Sequence, residues 1–535
     1  MQTIVFFFFL IYMAAPNWDV KKFERDLERQ VKRRHYITRS TSSEFRVAAD
    51  IQAYDQFLII GLPPTDTVPS SEPEVLVAFP PISHPHSKLE QIISMCLPTG
   101  INRQYLLKNG NEPIQDEFVF TIVNGPEVTY GSCVHVNVDS TKIRKLPFYA
   151  SNKSSKFAFC ILSRSPALSA HFIFLSYLVL STFNLYDLSN IPKLDLPFYD
   201  SSNLIENMDL DNQIAHHRSI TIPEYFSNAL KYYYSKDSSS SPFEFGKDAQ
   251  IFFPPVGNLE CLLWLSLDTI FSLLNVDFIM KLVTSIIFDA QVLVIGHSLQ
   301  EVSMTVIALQ YLIRPFRFCG PVIPILPDTS DFFELLNSPT PFIIGVAPCK
   351  ELSSFVFLEG CIFVYLDRKN ASFATEASFP NEKEVVKQIK KILEKEKSRI
   401  SHPFSFPSIF KKFLNHKYEF TPDTSKRIVD TIMNQIKILI TDDIYSYFVT
   451  DIDSTDGSSV TIFNTELFLA SVKNDCKKFY QKLLESQNFQ IFIEEKILKM
   501  QQSRDSQSPL TSDIAPPAKR PRRRSISILK DALLT

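Results

Sequence analysis

Short apolar runs broken by proline and glycine fill the early part of the chain: Phe57 to Gly61, Glu74 to Phe79, Phe118 to Val123 and Thr129 to His135. Runs of this length between turn formers read as strands, with a helix at Lys88 to Cys96, and predict an α+β unit with hairpins over 45–140. Residues 186–250 are rich in Asp, Asn, Ser and Tyr and read as a long polar loop. Beyond them the period turns helical near 259–274 and 277–288, and apolar strands follow at 291–295, 322–326, 342–346 and 361–366. Helices alternating with continuous apolar strands predict a largely parallel sheet covered on both faces. From Asn381 the pattern is helical again, with Asn381 and Glu384 as a capping pair and Val385, Ile389, Ile392 and Leu393 along one face. Leu469, Val472, Cys476, Phe479 and Leu483, at spacings of three and four, predict one later helix whose stripe is core. The expected fold class is α/β. Its segments are an extension over 1–44, the α+β unit over 45–140, an α/β unit over 155–370 that carries the polar loop, a helical unit over 371–500 and a basic tail over 501–535 expected from its composition to be disordered.

Composition narrows the function classes. A chain of 535 residues holds more than one core. Its net charge of −3 gives no global attraction to nucleic acid, and none is expected as a partner. Only 12 glycines are present, with no GxxxxGK[ST] and no GxGxxG, so no phosphate-cradling loop and no cofactor are expected. The eight cysteines are scattered without a CxxC pair and read as buried free thiols in a reducing compartment. His84 and His86, and His216 with His217, stand apart from other ligand types, so no metal is expected.

The first residues, MQTIVFFFFLIYMAA, have an apolar core of signal-peptide length but no basic n-region. They fall short of the roughly 20 apolar residues a bilayer takes. A membrane-surface anchor, or an extension upstream of a start at Met13, is preferred to a signal. Trp18 to Arg46 is highly charged and reads as a solvated helix face. The tail cluster Lys519 to Arg524 suits nuclear import, an acidic leaflet or a basophilic kinase acting on Ser525 or Ser527, against a tail that keeps the chain soluble.

One motif suggests catalysis. Gly296-His297-Ser298-Leu299-Gln300 lacks only the second glycine of a nucleophile elbow, and Asp328 or Asp367 with His402 or His416 would complete a triad. The competing reading is a capping box, Ser298 with Glu301, opening a helix whose buried stripe is Val302, Val306, Leu309 and Ile313. The cap is preferred. Arg314 and Arg317, beside Pro315-Phe316, end this helix or reach a partner. Asp328 and Asp331, after the next strand, form a solvated capped loop or touch that partner.

Taken in order, several stretches resemble the DENN module, the tripartite domain of exchange factors for Rab GTPases. Pro73-Glu-Val-Leu-Val-Ala-Phe-Pro-Pro81, Met95-Cys-Leu-Pro-Thr-Gly100, Phe118-Val-Phe-Thr121 with Tyr130-Gly-Ser-Cys133, and Phe159-Cys-Ile-Leu-Ser-Arg-Ser-Pro166 are similar to its early segments. Tyr311 to Arg317, Val322 to Pro327 and Ser338-Pro-Thr-Pro-Phe-Ile-Ile-Gly-Val346 carry the strongest likeness, and Phe489 to Lys496 resembles the closing segment. Phe288-Asp289-Ala290-Gln291 replaces an acidic-Arg-Arg step, and Phe318 stands where the family has Trp, which mark a divergent member. The resemblance implies a longin-like first unit, an α/β central unit and a helical third. It also implies release of GDP from a Rab-family small GTPase, with the protein cytoplasmic and peripherally associated with vesicle or endosomal membranes. The implied partner surface is shared between the first two units within 45–346, where Arg314, Arg317, Asp328 and Asp331 are the candidate contacts. No bond-making residue is expected. A scaffold of the same fold that binds without exchange, and a serine hydrolase through Ser298, are the alternatives.

Overall fold

The computed structural model describes residues 53–62, 72–81, 86–100, 114–124, 127–139, 154–164, 167–183, 215–216, 224–234, 243–245, 249–251, 260–349, 352, 360–372, 379–397, 422–440, 444–452 and 459–505. The N-terminal apolar run, the charged stretch after it, His402, His416, the basic tail, Ser525 and Ser527 lie outside these residues.

The first segments are β1 (Gln56–Gly61), β2 (Glu74–Phe79), α1 (His86–Cys96), β3 (Ile114–Asn124), β4 (Glu127–Asp139), β5 (Ser154–Ser163) and α2 (Leu168–Phe183), then β6 (Ala215–His216) and α3 (Glu224–Tyr234). Their strands form an antiparallel sheet in the order β3-β4-β5-β1-β2-β6. β5, which sequence order groups with the central segment, sits in the middle of this sheet, paired with both β4 and β1. β1 is buried along its whole length. Cys133 and Cys160 face α1, where the Cys133 thiol lies on the Cys96 carbonyl, while Phe57 faces α3 through Phe226. Gly131 pairs with Phe120 across β3 and β4, and a Cβ there would strike the Phe120 ring. That explains the glycine of the Tyr130-Gly-Ser-Cys stretch.

α3 corrects the reading of 186–250 as a loop. Phe226, Ala229, Leu230 and Tyr233 are buried and recur at one helical face. Tyr233 stacks on Phe174 of α2 at 4.1 Å and on Tyr54 at 5.7 Å. His171 Nδ1 meets its hydroxyl at 2.8 Å, and the Tyr54 hydroxyl donates to the Leu230 carbonyl at 3.0 Å. The many Tyr and Ser of this stretch mask an amphipathic helix.

After the short hairpin of β7 (Phe243–Phe245) and β8 (Ala249–Ile251) come α4 (Glu260–Leu273), α5 (Val276–Ile287), β9 (Val292–Ile295), α6 (Leu299–Leu312), β10 (Val322–Ile323), α7 (Ser330–Phe333), β11 (Ile343–Val346), β12 (Ile362–Tyr365) and β13 (Asn370–Ala371). The second sheet has the order β10-β11-β9-β12-β13; its first four strands are parallel and β13 is antiparallel. β9 and β11 are wholly buried, as strands covered on both faces must be. A Cβ at Gly345 would meet the Pro324 carbonyl and Val302, so this glycine lets β10 and α6 close on β11. Among the described residues no single helix is long and apolar enough to cross a membrane. Ser266–Leu273 and Val276–Ile287 satisfy length and composition only as a pair bent by 118°, and most of α5 is core.

The third segment holds α8 (Glu382–Lys397), α9 (Pro422–Ile440), β14 (Phe448–Ile452), β15 (Ser459–Phe463), α10 (Thr465–Ser471), α11 (Lys477–Glu485) and α12 (Gln487–Asp505). The stripe from Leu469 to Leu483 is not one helix. Val472 and Lys473 take extended backbone, and a 3-10 turn at Asn474–Cys476 separates α10 from α11. At α8 the expected pairing also differs. Asn381 adopts φ +57°, its carbonyl accepts from the Glu384 and Val385 amides, and it is Glu382 that reaches back to the Phe379 amide at 3.1 Å. Glu384 instead accepts from Gln388, one turn on. The hairpin of β14 and β15 adds strand to a region whose period reads as helix throughout. Phe463 packs on Phe468 and Phe489.

Candidate functional site

α6 joins the two sheets. Twelve of its residues are buried, and it lies along β3, the outer strand of the first sheet. The edge amide of Val119 donates to Ser303 Oγ at 3.3 Å, so the helix satisfies a strand edge that water would otherwise have to reach. At its N-terminus the first three amides are all taken by side chains. Asp116 of β3 accepts from Leu299 at 2.9 Å and Gln300 at 3.2 Å, and Ser298 Oγ accepts from Glu301 at 3.3 Å. A carboxylate here also faces the positive end of the helix dipole.

Burial nevertheless dominates these acids. It pushes the Asp116 carboxyl up to about 7, against the pull of the two amides and of Lys156. Burial, then the neighbouring Asp116 charge, pushes Glu117 up to about 8. Glu117 is 4% exposed, with the Ser176 hydroxyl of α2 at 3.5 Å. The Asp328 amide donates to the Pro98 carbonyl at 2.7 Å, which ties the loop after β10 to the turn that ends α1.

The loops after β9 and β12 meet beside this helix start. β9 lies between β11 and β12, and the connection through α6 leaves it on one side while β12 pairs on the other. This is the topological switch point at which open α/β sheets expose a crevice. His297 and Asp367 occupy it, with Nδ1 and Oδ2 2.7 Å apart and side chains 69% and 43% exposed. Arg368 follows, its guanidinium 5.4 Å from the Tyr365 ring centroid. The hydroxyl of Ser298 is engaged by an amide and the ring of His297 by Asp367. This is the geometry of a helix cap, and among the described residues Ser298 has no contact with a histidine of the kind an acyl-transfer nucleophile needs.

Sequence-named contacts fall at both ends of the central sheet. Asp328, half-buried, lies at the end where the parallel strands finish; the backbone of Asp331 lies in α7 close by. Arg314 and Arg317 follow the other end of α6, which at 1.5 Å per residue is about 21 Å away. Arg314 sits over the Tyr311 ring at 4.6 Å and beside Tyr130 of β4, so it fastens α6 to the first sheet. Arg317 is exposed. This far end also meets the third segment. Asp289, at φ +60°, accepts from the Gln487 and Asn488 amides, and Asn488 accepts from the Cys319 amide at 2.8 Å while donating to the Ile286 carbonyl at 2.8 Å. Sequence reasoning missed Asp116, the His297–Asp367 pair and this Asp289–Asn488 joint. Asp116 and Glu117 did carry a signal, two acids directly before an apolar strand.

Family models match this architecture in two places. The DENN (AEX-3) domain matches residues 154–369, and the dDENN domain matches residues 463–509. The chain carries a DENN domain and a dDENN domain. The DENN match opens at β5, in the first sheet, and closes just after β12, so it contains α6 and the crevice. The dDENN match contains α10, α11 and α12, the last of which reaches Asp289 through Gln487 and Asn488. The chain is 35% identical over 100 residues to myotubularin-related protein 5 of Caenorhabditis elegans, covering 18% of this chain and 5% of that protein. It is 39% identical over 75 residues to the MAP kinase-activating death domain protein of Mus musculus, covering 14% and 5%. With the Caenorhabditis elegans protein of the same name it shares 32% over 77 residues, covering 14% and 6%. The matched stretches are thus a small fraction of these relatives' length.

Proposed function

We propose that this DENN protein is a guanine nucleotide exchange factor that promotes GDP release from a Rab-family small GTPase. The observation that carries the reading is the pair of family matches, DENN over 154–369 and dDENN over 463–509, in that order on one chain. In this reading the first sheet is the longin-like unit, and the third segment is the mainly helical downstream part.

An exchange factor acts as a ligand for one state of its partner. It binds the nucleotide-free GTPase more tightly than the loaded one, and by linkage the nucleotide's affinity falls by the same factor. No bond is made, so a site of caps and exposed polar pairs suffices. The GTPase-facing surface is the end of the central sheet where the parallel strands finish: Asp328 and Asp331, with His297, Asp367 and Arg368 at the crevice. It borders the first sheet through the Asp328–Pro98 contact, and a partner seated there touches both units. Arg317, at the opposite end, and Arg314, packed on Tyr311, are assigned lesser parts. Association with a vesicle or endosomal membrane from the cytoplasmic side completes the proposal, with trafficking and endocytosis as its setting.

Binding of the full chain to a panel of Rabs, each nucleotide-free and GDP-loaded, tests this reading. Tighter binding of at least one nucleotide-free Rab supports it. Equal affinity for both forms means a scaffold without exchange activity, because a ligand with no differential affinity shifts nothing.

A further inference from the structure

Three cysteines from three elements converge beneath α1. Cys133 of β4 and Cys160 of β5 are directly opposed in the antiparallel ladder, and Cys96 ends α1 above them. All three are fully buried and free. Cys133 Sγ lies 3.7 Å from the Cys96 carbonyl, which also meets His135 Nε2 at 2.7 Å. The three thiols lie close enough to influence one another's protonation.

Lone buried cysteines behave as small hydrophobes, and Cys319, with its thiol on Asp289, is of that kind. The trio differs in geometry. Directly opposed residues of an antiparallel pair hold their Cβ atoms about 4.5–5.5 Å apart, and a disulfide takes roughly 3.5–4.5 Å. At the short end of the first range the two ranges meet, so closing the bond draws the two strands together without changing the register.

We propose that Cys133 and Cys160 are a reversible dithiol–disulfide site, with Cys96 placed as the exchanging third thiol. The oxidant is a low-molecular-weight disulfide such as oxidised glutathione. The Cys133 thiolate attacks one glutathione sulfur and expels the first glutathione thiolate. The Cys160 thiolate then attacks the Cys133 sulfur of the mixed disulfide and expels the second. Two thiol protons end on two glutathione thiols, and two electrons pass from the cysteines to glutathione. Attack by Cys96 on Cys133 moves the bond to that pair and returns Cys160 to a thiol. Burial pushes the Cys133 and Cys160 thiols well above their ordinary range, and Lys156, two positions from Ala158 on β5, works against this at Cys133. The reaction consequently proceeds through openings of the sheet rather than on the closed surface. The bond would lock β4, and with it the strand bearing Asp116, onto β5.

The test equilibrates the full chain in a series of reduced-to-oxidised glutathione buffers, with and without sub-denaturing urea. Acid quenching, alkylation and peptide mass spectrometry then follow. The expected result is one linked peptide pair, Cys133 to Cys160, whose linked-to-free ratio changes hundredfold over about 60 mV of glutathione poise, as a two-electron couple requires. Cys96→Ala should keep this link, and Cys160→Ala should replace it with Cys96 to Cys133. All three residues fully alkylated throughout the series, in urea as well as without it, would overturn the proposal, and so would a Cys133 linked only to cysteines outside the trio.

Discussion

Asp116 and the amides it accepts are separated by 183 and 184 positions in sequence, yet that carboxylate holds the first turn of α6. Removing it in Asp116→Ala leaves two amides without an acceptor and should cost about 1–2 kcal/mol, the upper range for a lost cap. Asp116→Asn keeps an acceptor and should cost less; urea denaturation compares the two. The same residues set a pH dependence. An acid whose pKa rises on folding binds more protons folded than unfolded. Its favourable contribution is complete below the unfolded value and is lost as pH rises through the folded one. The folded values are about 7 for Asp116 and about 8 for Glu117. Stability should therefore fall between about pH 4 and about pH 8, and Glu117→Gln should flatten that fall. A urea midpoint that climbs over this range would contradict the burial of the pair. Ser298→Ala should cost about 1 kcal/mol as a lost N-cap, and a fluorophosphonate probe should leave Ser298 unlabelled in the native chain.

At the scale of elements, α12 is joined to the end of α5 through Asn488, which is fully buried and bonded on both its amide nitrogen and its oxygen. Asn488→Ala takes the side-chain acceptor from the Cys319 amide, while the Ile286 carbonyl keeps the Asp289 amide as donor. At about 1–3 kcal/mol for a buried polar group left unpaired, the urea midpoint should drop clearly, and limited proteolysis should cut the third segment first. α3 carries the aromatic cluster, and Tyr233→Ala should cost about 3–5 kcal/mol by the usual large-to-small penalty.

What the sequence reveals also differs by element. β9 and β11 read directly as strands because continuous apolar runs bounded by turns have few other uses. α3 did not, because its polar and tyrosine-rich composition hides a face of Phe226, Ala229, Leu230 and Tyr233. The break between α10 and α11 was illegible because Val472 and Cys476 keep helical spacing across a turn. The crevice was half visible. His297 and Ser298 stand in a motif that draws the eye, but Asp367, their neighbour in space, lies 70 positions on, and only the parallel pairing of β9 with β12 brings it there.

At the scale of the whole molecule, α6 ties the first sheet to the second and α12 ties the third segment to the far end of the second. The crevice end of the central sheet keeps the exposed, hydrogen-bonded His297–Asp367 pair and a charged loop. If a GTPase seats there, Asp367→Ala should slow nucleotide release several-fold while leaving the unfolding free energy within about 0.5 kcal/mol, as exposed substitutions do, and Asp328→Lys, at a half-buried position, should slow release as well. Arg317→Glu should change release much less. The most direct measurement is nucleotide release itself: each Rab of a panel loaded with fluorescent GDP, mixed with the full chain and excess unlabelled GTP, and followed by the loss of fluorescence. The account predicts that release from at least one Rab accelerates in proportion to the concentration of this chain. Unchanged release from every Rab, including any that the chain binds, would contradict it.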